Sequence, residues 1–172
     1  MIVVKLTQGK VAHVSEVDYP RVAAQRWYAR RSQYTWYATG RNGLLLHRYI
    51  LRAPKALFVD HIDGNGLNNV RENLRLATPH ENSANKRLRY PLGGHGFRGV
   101  YPTKGGWRAS LSFKGARING GVFDTPEAAA KDYDRIMLML YGDYAATNEK
   151  LGLFRMKTHE EVLQHCLRTR VD

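Results

Sequence analysis

The stretch that decides the fold is "VDHIDGNGLNNVRENLRLATPHEN", residues 59–82, where histidines, aspartates and asparagines lie between short apolar runs. The segment "LFVDH" (57–61), which begins two residues before this stretch and overlaps its first three residues, predicts a short β-strand that ends in polar side chains. "DGNGLNN" (63–69) predicts a loop, because Asp, Asn and Gly readily adopt turn conformations. "ENLRLAT" (72–78) predicts a second, returning strand.

A short helix is predicted to follow this second strand. Thr78 can cap it, Pro79 suits the first helical position, and Glu81 lies three residues after Thr78, which completes a capping box. The predicted order of elements is therefore strand, loop, strand and helix, over about 30 residues.

The polar residues of this unit suit the hydrolysis of a phosphodiester, which needs a base, a cation and a held phosphate. Asp60 offers the oxygen ligand that Mg²⁺, Mn²⁺ or Ca²⁺ prefers, and its neighbour His61 points to the opposite side of the strand. His61 could then activate water if the Asn73 carbonyl accepted its other ring N–H. Asn82 or His80, in the first helical turn, could face Asp60 as a second metal ligand.

The ordered set, "VDHIDGNGLNN…ENLRLAT…HENSAN", resembles the phage-type HNH homing endonucleases, which have a ββα-metal active site. The resemblance implies that Asp60 and Asn82 bind one divalent ion, Mg²⁺ or Mn²⁺, and that no structural zinc is present. It also implies that His61 is the general base and that Asn73 orients it. "LHRYIL" (46–51) matches the segment before the motif, and its histidine is expected to be structural rather than catalytic.

The net charge of +12 and the pI near 10 indicate a polyanion as partner. Residues 1–56 hold 10 Lys and Arg against 2 Asp and Glu, so most of the excess lies in the first third of the chain. A short helix is predicted within "DYPRVAAQRW" (18–27). Short strands are predicted at "IVVKLT" (2–7), "KVAHVS" (10–15), "WYARR" (27–31), "YTWYATG" (34–40) and "GLLLHRYIL" (43–51). They form either a core with a solvated basic face or a sheet that lies against phosphates.

Residues 97–148 predict a second compact unit, with strands in "FRGVYP" (97–102), "WRASLSF" (107–113) and "RINGGVF" (117–123) and an amphipathic helix in 124–142. The motifs "FRGVY", "WRASL", "GGVFDTPEAAAKDYD" and "YGDYAATN" resemble the Apetala-2/ethylene-response-factor DNA-binding domain. That resemblance implies a sheet that lies in the major groove, backed by the helix. Strand alternation predicts that Trp107, Ala109 and Leu111 face the helix. The predicted DNA contacts are Arg98, Lys104, Arg108, Lys114, Arg117 and Asn119 on the sheet, and Lys86, Arg87 and Arg89 on the preceding linker.

The expected fold class is α+β, with a basic β-rich region (1–56), an HNH ββα-metal unit and linker helix (57–90), a three-stranded antiparallel sheet packed on one helix (91–148) and a short helical tail (149–172). The predicted function is metal-dependent, sequence-directed cleavage of double-stranded DNA, by nicking or by cutting both strands. The alternatives are a DNA-binding regulator with an unused nuclease motif and an RNA binder.

The chain has one cysteine, Cys166, and no apolar run near the roughly 20 residues that cross a bilayer. We therefore expect no disulfide, no cysteine-bound zinc and no association with a membrane. The N-terminus lacks the pattern of a signal peptide, so the expected location is the cytoplasm, that of a bacterial host if the gene is phage-encoded. The sequence indicates no obligatory protein partner.

Overall fold

A computed structural model of the chain describes residues 1–33, 35–85 and 95–155. The predicted linker contacts Lys86, Arg87 and Arg89, and the helix predicted in the tail, lie outside the described residues. The chain divides into two compact units, Met1–Asn82 and a second unit that begins at Ser83. Both units mix helices with antiparallel strands, which agrees with the α+β class.

The first half of the first unit consists of short hairpins and two short helices. In chain order its elements are β1 (Ile2–Lys5), β2 (Val11–Val14), α1 (Tyr19–Ala23), β3 (Tyr28–Arg31), β4 (Trp36–Thr39) and α2 (Leu46–Leu51). Strands β1 and β2 pair antiparallel, as do β3 and β4. The aromatic and β-branched residues of this region therefore form strands as predicted, with one exception.

The exception is "GLLLHRYIL", which was predicted as a strand but contains helix α2. Leu46, His47 and Ile50 are buried on one face of this helix, and Arg52, with φ +50°, ends it. Residues 46 and 50 are four apart, the spacing that places two side chains on the same face of a helix. The β-propensity of the individual residues is overridden by this packing.

The second half of the first unit has the strand, loop, strand, helix order predicted from residues 57 to 84. Its elements are β5 (Phe58–His61), β6 (Asn68–Asn69), β7 (Leu74–Ala77) and α3 (Pro79–Ala84). Strands β5 and β7 pair antiparallel, while the two-residue β6 joins β2 in parallel. The predicted loop between β5 and β7 is thus tied to the N-terminal sheet.

One hydrophobic core joins both halves of the first unit. It includes Val14 from β2, Trp27 before β3, Leu46 from α2, Val59 from β5 and Leu74 from β7. The residues of the basic N-terminal region therefore pack directly against the strands that carry Asp60 and His61. In this structure the segment up to residue 56 and the HNH segment share their core.

Arg48 fixes the connection between α2 and β5. Its guanidinium donates hydrogen bonds to the carbonyl oxygens of Leu57 at 2.7 Å, Pro54 at 2.8 Å and Ala53 at 3.1 Å. Three bonds to a charged donor stabilise a segment that has no strand or helix of its own. The start of β5 is therefore held at a defined position relative to α2.

The second unit contains a three-stranded antiparallel sheet in the order β10–β9–β8 and a long helix. The elements are β8 (Val100–Thr103), β9 (Gly106–Phe113), β10 (Ala116–Phe123) and α4 (Pro126–Tyr141). Ala109, Leu111 and Trp107 pack in the clusters that hold the buried face of α4, as strand alternation predicts. The Thr125 hydroxyl accepts from the Ala128 N–H and caps the helix.

Two contacts fix α4 to the rest of the second unit. Gly99 has φ +72° and lies so close to the Tyr133 ring that an added Cβ would overlap it. The buried Asp134 carboxylate accepts from the backbone N–H groups of Asn148 and Glu149 at 2.7 and 3.0 Å. Burial raises the pKa of Asp134, and these hydrogen bonds oppose that rise. Within the described residues, every helix is too short or too polar to cross a lipid bilayer.

Candidate functional site

The site is built on the β5–β7 hairpin, which carries Asp60 and His61 at the end of β5. In the strand register Asp60 lies opposite Arg75, and His61 lies opposite Leu74. Asp60 and His61 are both buried, with 6% and 5% of their surfaces exposed. A carboxylate and an imidazole at such low exposure need polar partners, which the neighbouring elements supply.

Arg75 is the cationic partner of Asp60. Its Nε and Nη2 atoms donate to the same carboxylate oxygen, Oδ2, at 2.9 and 2.7 Å. Both side chains are largely buried, at 15% exposed for Arg75 and 8% for Asp60. Their direct cross-strand position explains the short distances, because side chains on opposed residues of a hairpin emerge on the same face.

The His61 ring contacts an amide from the predicted turn-forming loop, that of Asn69. The His61 Nε2 atom lies 3.4 Å from Asn69 Oδ1. Asn69 is fully buried, and its Nδ2 atom donates to the Gly66 carbonyl at 3.3 Å. Because the amide nitrogen is engaged at Gly66, we assign Oδ1 as the acceptor and the His61 proton to Nε2, the tautomer that completes this hydrogen bond. Nδ1 is then the nitrogen with the basic lone pair.

Asn73, which was predicted to orient His61, contacts the loop instead. Its Nδ2 atom donates to Asp63 Oδ1 at 2.9 Å and to the Asn68 carbonyl at 2.8 Å, and its Oδ1 accepts from the Asp63 N–H at 3.0 Å. Both ends of the Asn73 amide therefore bind the loop between β5 and β7. The predicted contact to His61 is made by Asn69, because the loop folds back onto β2 and carries Asn69 inward.

Two aromatic rings form the remaining wall of the His61 pocket. The His47 ring lies 4.9 Å from the His61 ring and is perpendicular to it, and the Tyr37 ring lies 5.9 Å away. The His47 and Tyr37 rings also meet edge-on, at 5.5 Å. Residues from β4 and α2 therefore limit the rotation of His61.

Both imidazoles are held neutral by burial. Burial lowers the pKa of His61, although the hydrogen bond to Asn69 and the carboxylates of Asp63 and Asp60 oppose this. Burial, with smaller contributions from His61, Arg48 and Arg30, lowers the pKa of His47 to about 3. At neutral pH, His61 is thus in the form that can accept a proton.

The His47 Nδ1 atom has no hydrogen-bond partner within the part of the chain that the structure describes. An unsatisfied buried nitrogen destabilises the folded state by about 1–3 kcal/mol. His47 packs in the wall of the site, as the expected structural residue would.

Helix α3 begins with the predicted capping box. The Thr78 N–H donates to Glu81 Oε2 at 2.7 Å, and the Glu81 N–H donates to Thr78 Oγ1 at 3.3 Å. The Asn82 N–H continues the helix by donating to the Thr78 carbonyl at 2.9 Å. Asn82 is half-buried, whereas His80 is exposed. Of the two predicted second ligands, Asn82 is therefore the less exposed.

Asp60 and Asn82 carry the ligand types of a hard divalent ion. Carboxylate and amide oxygen atoms are the ligands that Mg²⁺ and Mn²⁺ prefer. Across the described ranges no three His, Cys, Asp or Glu side chains are grouped as metal ligands. Asp60 and Asn82 would therefore leave most coordination positions to water and substrate, which suits Mg²⁺ because it loses its water reluctantly.

The predicted DNA contacts of the second unit differ in exposure and in hydrogen bonding. Arg117 donates from Nε to Ser110 Oγ at 2.8 Å, and its guanidinium lies 5.7 Å from the centre of the Tyr101 ring. Arg108 is opposite Tyr101 in the sheet, and its buried Nε has no partner within the described residues. The exposed candidates on this sheet and its turns are Lys104, Lys114, Arg117 and Asn119.

Arg98, one of the predicted DNA contacts, binds groups of its own unit. Its Nη1 atom donates to the Ala146 carbonyl at 3.3 Å, and its side chain also contacts Tyr133 on α4. Its backbone N–H donates to Asn148 Oδ1 at 2.7 Å. Arg98 is therefore held on the side of the sheet that carries the helix, because the buried carbonyl and phenol there need a donor.

The strand, loop, strand, helix unit with a buried Asp–His pair defines a nuclease of the HNH class. The family profile described as HNH endonuclease matches residues 52–84. The chain is 35% identical over 149 residues to the uncharacterized HNH endonuclease L560 of Acanthamoeba polyphaga mimivirus, covering 83% of this chain and 76% of that protein. The chain therefore belongs to the HNH endonuclease family, and this part of the predicted resemblance is confirmed.

Two further relatives come from phage genomes. Protein 3.8 of Escherichia phage T7 is 38% identical over 95 residues, which are 54% of this chain and 76% of that protein. A protein of the SPbeta prophage of Bacillus subtilis strain 168, whose name assigns it to the HNH homing endonucleases, is 46% identical over 55 residues. That match covers 29% of this chain and 32% of the prophage protein. No solved structure matches the chain.

Proposed function

We propose that this protein is a divalent-metal-dependent endonuclease that cuts double-stranded DNA at a preferred sequence, as a homing-type enzyme. The observation that carries the proposal is the buried, neutral His61 beside Asp60 at the end of β5, in a chain of the HNH endonuclease family. A neutral imidazole next to a carboxylate supplies a base and an oxygen ligand at one point of the fold.

His61 is the general base in this proposal. Its Nδ1 atom takes the proton of the attacking water, and the Nε2–H donated to Asn69 Oδ1 stabilises the positive ring that results. Tyr37 and His47 hold the plane of the ring, so the lone pair keeps one direction. Asn73 acts at a distance by holding the loop that carries Asn69.

Asp60 and Asn82 would hold the divalent ion, Mg²⁺ or Mn²⁺. When bound, the ion supplies charge stabilisation for the transition-state phosphate and the leaving 3′-oxygen. Asp60 contributes a carboxylate whose direction is fixed by β5 and by Arg75. Asn82 contributes an amide oxygen from the first turns of α3, and the capping box fixes the start of that helix.

The second unit is proposed to select the DNA sequence, as an Apetala-2/ethylene-response-factor-type domain. Its three-stranded sheet presents Arg117 and Asn119, with Arg108 beside them and Lys104 and Lys114 at the turns. Arginine suits bidentate contact with guanine, and lysine suits phosphate. We include Lys86, Arg87 and Arg89 of the linker as phosphate contacts because of their charge, and the basic N-terminal region adds affinity by counterion release.

The proposal is tested with purified protein, supercoiled plasmid and Mg²⁺, by scoring nicked and linear product. Replacing His61 with alanine should lower the cleavage rate by about 100- to 10,000-fold, the contribution expected of a general base. The affinity of the His61→Ala variant for DNA should stay within about twofold of that of the natural chain, because the substitution removes only one side chain from the DNA-binding surface. The matched control is His80→Ala, an exposed histidine of the same segment, which should cut normally.

The metal role has its own readout in the same assay. EDTA should stop cleavage, and Mg²⁺ or Mn²⁺ should restore it. Cleavage that survives thorough chelation would contradict the role of the ion. Undiminished cleavage by the His61→Ala variant would contradict the assignment of the base.

A further inference from the structure

Arg75 occupies the carboxylate that the proposed function assigns to the divalent ion. Two of its donors bind Asp60 Oδ2 at 2.9 and 2.7 Å, and the pair is buried within the β5–β7 hairpin. The contact is part of the fold, because the strand register places the two residues directly opposite each other. The carboxylate is thus already paired with a cation in the chain alone.

The ion pair with Arg75 weakens the binding of a second cation at Asp60. A divalent ion bound to the same carboxylate would lie within a few ångströms of the guanidinium, and like charges repel strongly at a site with little water. The imidazoles of His61 and His47, which lie against each other, supply no compensating negative charge in the neutral or the protonated form. The nearby Asp63 is engaged by Asn73, Asn68 and the Asn65 N–H in the exposed loop.

A phosphodiester supplies the missing negative charge. A guanidinium attracts the negatively charged oxygen atoms of a phosphate. A phosphate beside Arg75 would therefore offset the repulsion between the guanidinium and the incoming ion. Metal and phosphate would then each favour the binding of the other.

We infer that Arg75 makes divalent-metal binding at Asp60 depend on bound DNA, so that the free enzyme holds the ion weakly and the DNA complex holds it tightly. The inference rests on the proposed metal role of Asp60. It assigns to Arg75 a positioning role, since the residue acts through Asp60 and through the phosphate. This role would account for the ion pair that Asp60 forms with Arg75.

The first test measures Mn²⁺ binding to the full chain without DNA, by electron paramagnetic resonance of the free ion. Arg75→Gln removes the charge and keeps an amide donor, whereas Arg75→Lys keeps the charge and is the matched control. Arg75→Gln should bind Mn²⁺ at least ten times more tightly than the natural chain, and Arg75→Lys should remain close to it. Equal or weaker binding by Arg75→Gln would overturn the inference.

The second test leaves Arg75 in place, so it does not depend on the folding of a variant at that position. In the His61→Ala chain, which should not cut, Mn²⁺ affinity is measured with and without a short DNA duplex. The same titration with Asp60→Asn added gives the Mn²⁺ bound by the duplex itself. A gain of at least tenfold on DNA binding is expected, and an unchanged affinity would overturn the inference.

The Asp60→Asn titration also separates the inference from the proposed function. If Asp60→Asn binds Mn²⁺ as tightly as the natural chain, Asp60 is not a metal ligand and the proposed function loses its metal site. If binding depends on Asp60 but responds neither to Arg75→Gln nor to DNA, the metal site stands and only the role of Arg75 is refuted.

Discussion

The buried imidazole of His47 predicts that the first unit loses stability in mild acid. Its pKa is about 3 in the folded protein, against 6.5 for a solvent-exposed histidine side chain. Because the pKa of His47 is lowered in the folded state, its imidazole is protonated in the unfolded chain but not in the folded chain between about pH 6.5 and pH 3. The stabilisation is complete above pH 6.5 and is lost progressively as the pH falls toward 3.

The size of the effect follows from the linkage between proton binding and folding. Each pH unit over which only the unfolded state is protonated removes about 1.4 kcal/mol from the free energy of unfolding. Between pH 7 and pH 5 the unfolded imidazole becomes almost fully protonated while the folded one does not. His47 should therefore account for a loss of about 2 kcal/mol over this interval.

Urea denaturation at pH 7 and at pH 5, followed by tryptophan fluorescence, measures this loss. Trp27 and Trp36 report on the first unit, so a Trp107→Phe background silences the tryptophan of the second unit. The comparison is made with His47→Phe, which keeps a ring against Tyr37 and His61 but cannot titrate. His61 also has a lowered pKa, and its contribution remains in both proteins.

The natural chain should lose about 2 kcal/mol more than His47→Phe between the two pH values. Equal losses in the two proteins would show that His47 is not held neutral by its surroundings. Such a result would also contradict the position of His47 in the buried wall beside the His61 ring.

Three further predictions concern other parts of the structure. Gly99→Ala should destabilise the second unit by about 1–3 kcal/mol more than Gly115→Ala, as measured by thermal unfolding. Both glycines have positive φ, but only a Cβ at residue 99 would overlap the Tyr133 ring. Equal effects of the two substitutions would argue against that overlap. Asn69→Ala should lower kcat at least tenfold and leave KM for DNA nearly unchanged, since Asn69 orients the base; a normal kcat would refute this role. Lys114→Ala should weaken duplex binding and reduce the slope of log affinity against log salt by about 1, whereas Arg135→Ala on α4 should not; anisotropy titrations at several salt concentrations test this.

Local sequence signals predicted the elements that are stabilised locally. The capping box at Thr78 and Glu81 is present in the structure, because its two hydrogen bonds lie within four residues. The strands of both units were predicted from β-branched and aromatic runs between turns. Helix α2 was not, because its residues favour a strand and only the core shared with β2 and β5 makes a helix the better packing.

The Asn69 contact could not be read from the order of residues. Asn69 and Asn73 both follow His61 within one turn-rich loop, and either amide has the chemistry to accept from an imidazole. What separates them is the parallel pairing of β6 with β2, a contact across more than 50 residues. Asn69 becomes fully buried by that pairing, whereas Asn73 is left to bind Asp63.

The N-terminal region contributes residues to the surroundings of His61. The HNH family match begins at residue 52, yet two of the rings around His61 come from Tyr37 and His47. The parallel strand that carries Asn69 inward is paired with β2. A chain that began at residue 52 would keep Asp60, His61 and Arg75 but lose the contacts that bury the base and fix its ring. The basic first third is therefore a structural part of the site, whatever it contributes to DNA affinity through its charge.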